Sequence, residues 1–147
     1  MFVKPTINDF CFVVVGYDAG ICLGKAVFAE SAKELNQKIV ENISGVEIVE
    51  YDVTVFMQEG KELREMLYDK DVSVRCYKPK QPLDIRIAAQ SEWLKENLVI
   101  DPEYENDDYI KFIELLSGYS SGYRGDDYNT IAVDILSDVA KYYRRLI

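Results

Sequence analysis

FCFVVVGYDAGICLGKAVFAESAKEL, residues 10–35, decides the fold. Residues 10–17 are dense in Phe and Val, side chains that suit a pleated, half-buried surface. Asp18-Ala19-Gly20 supplies a turn, and residues 21–28 resume with small and β-branched side chains. Two such runs about a short Gly-containing connection predict a β-hairpin. Ser31-Ala32-Lys33-Glu34 follows in capping-box form: the Ser31 hydroxyl covers one orphan amide and the Glu34 carboxylate reaches back for another. Ala32, Leu35, Ile39, Val40 and Ile43 then recur at helical spacing, and Ser44-Gly45 ends that helix.

Beyond this start the elements alternate. Residues 46–57 form a third strand through Val46, Ile48, Val53 and Val55; Glu47, Glu50 and Asp52 interrupt it, so one face meets water. Residues 59–68 make a short helix through Leu63, Met66 and Leu67. Residues 72–77 alternate Val72, Val74 and Cys76 against Ser73, Arg75 and Tyr77, the pattern of a half-buried strand. Lys78-Pro79-Lys80-Gln81-Pro82 breaks the chain, and residues 83–98 favour a helix built on Ile85, Ala88, Ala89, Trp93, Leu94 and Leu98. A compact helix uses Tyr109, Ile110, Ile113 and Leu116, with Asp107 or Asp108 as its cap and Ser117-Gly118 as its stop. Residues 119–127 read as a loop. The last helix places Tyr128, Ala132, Ile135, Leu136, Val139, Tyr143 and Leu146 on one face, with Lys141, Arg144 and Arg145 toward the negative end of its dipole. The order strand-strand-helix-strand, then helix-rich, predicts an α+β fold. It is expected as a single domain over residues 1–147, with a mainly antiparallel sheet, helices packed on one face and a long C-terminal helix.

A chain of 147 residues is long enough for its own core. Its 17 basic and 26 acidic residues give a formal net charge of −9. That balance argues against direct nucleic-acid binding, which needs Lys and Arg to displace phosphate counterions, and against anionic membranes. Cys11, Cys22 and Cys76 are odd in number, widely spaced and without a CxxC pair, as expected of free thiols in a reducing compartment. No signal peptide is evident, and the apolar run at residues 11–15 is far below the roughly 20 residues needed to span a bilayer. The expected location is the cytoplasm.

Catalytic chemistry is sparse. The chain has no histidine, which removes the usual general base near neutral pH and the commonest transition-metal ligand. No G-x-S-x-G, P-loop or G-x-G-x-x-G occurs, and Gly16 and Gly20 flank an ordinary turn. Residues 101–107 alternate oxygens like a calcium loop but lack its central Gly and its final Glu. Trp93 reads as core. No enzyme activity, metal or cofactor is expected.

The notable charge lies at residues 101–127. Asp101, Glu103, Glu105, Asp107, Asp108, Glu114, Asp126 and Asp127 face only Lys111 and Arg124, so −6 of the net −9 sits there. Tyr104, Tyr109, Tyr119 and Tyr123 are interleaved with them, and Gly118, Gly122 and Gly125 permit close approach of another chain. Clustered carboxylates repel unless a cation offsets them. The expected partner-binding residues are Tyr104, Glu105, Asp107, Asp108, Tyr119, Tyr123, Asp126 and Asp127, presented to a basic protein.

In size, acidity and α+β pattern the whole chain resembles the small acidic immunity proteins of bacterial contact-dependent inhibition and polymorphic toxin systems. The resemblance implies a cytoplasmic inhibitor that binds and neutralises a basic toxin, above all a nuclease whose active site is lined with Lys and Arg. Two alternatives stand beside it. One is a nucleic-acid mimic of the anti-restriction or anti-CRISPR kind, with carboxylates spaced like phosphates. The other is a small enzyme working through Asp, Glu or Tyr.

Overall fold

A computed structural model describes residues 1–120 and 130–146. The hairpin strands form as expected: β2 (Phe10–Tyr17) and β3 (Ile21–Ala29) are neighbours in the sheet. The turn holds Ala19 at φ 56° and Gly20 at φ 141°, and the Asp18 amide donates to the Gly20 carbonyl at 2.9 Å. A Cβ on Gly20 would lie 2.6 Å from the Asn97 carbonyl oxygen, so both the dihedral and the space demand glycine.

The capping box is also present. Ser31 accepts from the Glu34 amide at 3.1 Å, and the Glu34 carboxylate accepts from the Glu30 amide at 2.8 Å. It opens α1 (Ala32–Glu41), which buries Ala32, Leu35, Asn36 and Ile39. Next come β4 (Ile48–Asp52), α2 (Met57–Met66) and β5 (Ser73–Tyr77). α3 (Leu83–Asn97) runs into a short β6 (Leu98–Ile100), and α4 (Asp107–Ser120) and α5 (Ile131–Leu146) complete the described chain.

Two strands were not expected, the short β6 and one at the start of the chain. β1 (Phe2–Pro5) is only four residues long and contains Lys and Pro, residues that strands avoid, yet all four are buried. It lies inside the sheet, whose order is β5-β4-β1-β2-β3-β6. β1 pairs antiparallel with β2 and parallel with β4. β4 pairs parallel with β5, and β3 pairs parallel with β6, so this α+β sheet is mixed.

Two compact units can be described separately. Unit 1 comprises Met1–Val14 and Val27–Lys80. Its core gathers Val3, Phe12, Leu35, Ile39, Val49, Tyr51, Leu63 and Leu67, all almost fully buried. α2 approaches β4 closely at Gly60, where a Cβ would lie 2.7 Å from Val53 Cγ1. Unit 2 comprises Val15–Ala26 and Gln81–Ile147. In it α5 packs on α3 and α4 and buries Ile131, Ile135, Leu136 and Val139, the face that the 3.6-residue period marks.

Candidate functional site

β1, β4 and β5 run parallel, so their carboxyl ends share one edge of unit 1. Ligands of parallel sheets bind beyond such ends. Lys4, Asp52 and Tyr77 stand there. Asp52 and Tyr77 are register partners, and Phe2 and Val3 pair with Glu50 and Tyr51, which brings Lys4 beside Asp52. The period of two puts Glu50 and Asp52 on one face of β4 and Tyr51 on the other. Tyr51 points to the core, where its hydroxyl donates to Asn36 at 3.0 Å and burial pushes its pKa up.

On the opposite face Lys4 Nζ lies 2.7 Å from Asp52 Oδ2, with the side chains only 2% and 7% exposed. Asp52 Oδ1 accepts from both the amide and the hydroxyl of Thr54. The Tyr77 ring centroid is 6.0 Å from Nζ, at the outer reach of a cation–π contact. Next along the same face, Glu50 Oε1 lies 3.1 Å from Arg75 Nη1. That contact satisfies charge but not hydrogen-bond geometry: Oε1 has no hydrogen-bond partner among the described residues. Burial raises the Glu50 pKa, and the positive charges of Arg75 and the N-terminus partly oppose it. Immediately past β5, Lys78 and Lys80 are exposed.

Unit 2 holds a separate ionic centre. Arg86 Nη1 bonds Asp134 and lies 3.3 Å from Asp138, one helical turn further along α5. All three side chains are largely buried, at 9 to 15% exposed. Two acids are thereby matched to one guanidinium.

The described part of the acidic segment lies in unit 2. Glu105 and Asp107 are exposed, Asp108 is half-buried, and Tyr104 lies in a 3₁₀ turn, Pro102–Tyr104. Tyr119 is half-buried inside α4, which runs through Gly118 instead of stopping there. Tyr123, Asp126 and Asp127 lie outside the described residues. Tyr109 is core: it is 3% exposed, its hydroxyl donates to the Leu23 carbonyl at 3.4 Å, and burial raises its pKa. The α4 cap is Asn106, which accepts from the Tyr109 amide at 3.0 Å, in place of Asp107 or Asp108.

Sequence reasoning missed Lys4 because it missed β1. The available signal was small: an apolar Phe2-Val3 before a lysine and a proline. Asp52 was visible only as an interruption of a strand.

No family model matches the sequence, and no curated protein matches it. Solved structures do. A fowlpox virus Holliday junction resolvase is similar over 99% of this chain and 96% of its own, with a TM-score of 0.60 and 15% identity. A fowlpox virus resolvase in complex with substrate Holliday junction DNA is similar over 98% and 95%, with a TM-score of 0.55 and 11% identity. At these identities the likeness shows the fold.

That likeness corrects the resemblance drawn from size and acidity. The fold is similar to that of two fowlpox virus resolvases, one of them solved with its substrate Holliday junction DNA, and no comparison matches an immunity protein. The expectations of a toxin inhibitor, of a basic toxin as partner, of no enzymatic activity and of no direct nucleic-acid contact are overturned with it. Net charge is a poor guide to partners: here it coexists with a fold similar to that of Holliday junction resolvases.

Hydrolysis of a phosphodiester commonly uses divalent ions held by converging carboxylates. The described residues do not fit that demand: no group of three or more His, Cys, Asp or Glu among them is placed to hold a metal. At the carboxyl ends of β1 and β4 an ammonium already engages Asp52.

Proposed function

We propose that this chain acts on branched DNA, meeting the phosphate backbone with the edge formed by the carboxyl ends of β1, β4 and β5. The observation that carries the reading is the fold likeness to Holliday junction resolvases, which spans nearly the whole of both chains. The enzyme alternative from the sequence is the nearer of the earlier readings, with DNA as substrate.

The distribution of charge supports it. Unit 1 has nine basic and twelve acidic residues, whereas unit 2 has eight and fourteen. Most of the net negative charge is therefore carried by unit 2. Lys78 and Lys80 extend exposed from the end of β5, and the Arg75 side chain is 61% exposed on the same strand. Two or three phosphate contacts give a shallow salt dependence, with log K falling by about 2 to 3 per decade of salt. Among the described residues no helix is long and apolar enough to cross a membrane. A cytoplasmic setting is part of the proposal, supported by three free cysteines.

Fluorescence anisotropy with a labelled four-way junction tests the reading. Wild-type protein should bind it at low salt, and the double variant Lys78→Ala/Lys80→Ala should bind about tenfold more weakly with a reduced salt slope. Unchanged affinity in that variant would remove this edge from the interface. Absence of junction binding would remove the function.

A further inference from the structure

We infer that Lys4 is the resident cation of this edge: its ammonium holds the position on Asp52 that a divalent metal would need. The inference deepens the proposed function and rests on it for the identity of the edge, though not for the chemistry of the pair. Both oxygens of Asp52 are engaged by the protein's own donors. Oδ2 faces Lys4 Nζ at 2.7 Å, and Oδ1 takes the amide and hydroxyl of Thr54. A metal ligand must offer a lone pair free of such donors, and a divalent ion beside a buried ammonium meets like charge at short range.

Lys4 also has little freedom to withdraw. β1 is hydrogen-bonded to β2 on one side and β4 on the other, and the lysine is 2% exposed. The Tyr77 ring closes over its head at 6.0 Å. A charge buried this deeply needs an opposite charge beside it, and Asp52 supplies that at 2.7 Å from Lys4. With no carboxylate triad among the described residues, positive charge at this edge is supplied by the chain itself. Lys4 is a positioning residue: it fixes Asp52 and sets the local charge without reaching solvent.

Paramagnetic broadening by Mn²⁺ alone tests this on the full-length wild-type protein. The amide resonances of Thr54 and Tyr77 should keep their intensity in excess Mn²⁺. Selective loss of both at stoichiometric Mn²⁺ would overturn the inference. Lys4→Asp replaces the ammonium with a second carboxylate beside Asp52. That variant should gain Mn²⁺ broadening at Thr54 and Tyr77 and melt at a higher temperature with Mn²⁺ than without; a folded Lys4→Asp protein with neither response would contradict it. Should the variant fail to fold, the wild-type titration decides. Wild-type protein that fails to bind junction DNA defeats the functional reading and leaves the manganese result standing, so the two failures are distinguishable.

Discussion

Lys4 and Asp52 form the most deeply buried ion pair among the described residues, and a pair of this kind responds asymmetrically to substitution. Removing one partner strands a charge in a dry site, which costs about 3 to 5 kcal/mol. Lys4→Met should therefore lower the unfolding free energy by that amount, read from urea denaturation. Adding Asp52→Asn should recover part of the loss, because no charge is then left uncompensated. A double variant no more stable than Lys4→Met would mean that the pair is not coupled. Glu50 makes a different prediction. Its pKa is raised by burial, so the folded state holds the proton more tightly than the unfolded chain. Stability then falls as pH rises from the unfolded value near 4.5 through the raised folded value. Arg75 offsets little, because its side chain is 61% exposed. Glu50→Gln should melt higher than wild type at pH 7 and lose that advantage by about pH 4.5. Melting curves across this range check it; a constant difference would exclude ionisation as the cause.

At the scale of elements, the β2–β3 turn is fixed by one residue. Gly20→Ala places a methyl 2.6 Å from the Asn97 carbonyl at a φ of 141°, so strain and overlap add. The expected loss is about 2 to 4 kcal/mol, from left-handed strain together with overpacking, and thermal unfolding measures it. The same turn was legible in the sequence, as was the Ser31–Glu34 box, because each is set by contacts within a few residues. β1 was not legible. Four residues carry no period, and the burial of Lys4 depends on Asp52, 48 positions away in the chain. β6 was not legible either: the expected helix took in Leu98 and left Val99 and Ile100 unassigned, since Leu98-Val99-Ile100 becomes a strand only by pairing with Ile21-Cys22-Leu23. Gly118 was read as a helix stop, yet α4 continues to Ser120, because glycine weakens a helix without forbidding it. Local chemistry could announce the hairpin and the first helix, whereas the candidate site is made by three strands that meet only in the fold.

Across the whole molecule, a net charge of −9 and a fold similar to that of Holliday junction resolvases pull in opposite directions. Net charge governs solubility and association kinetics and does not select a fold, which is why acidity pointed to immunity proteins and misled. Under the proposed function a chain of this charge needs its cations gathered where it meets DNA, and Arg75, Lys78 and Lys80 follow one another along and beyond β5. Repulsion from the remaining acids opposes any DNA alike, so under the proposed function discrimination should rest on the shape of the branch point. Competition binding tests this most directly: protein bound to a labelled four-way junction is challenged with excess linear duplex made from the same sequences. Retention of the junction complex under that excess is the expected result. Displacement by linear duplex at equal concentration, or no junction complex at all, would contradict the assignment of this chain to branched DNA.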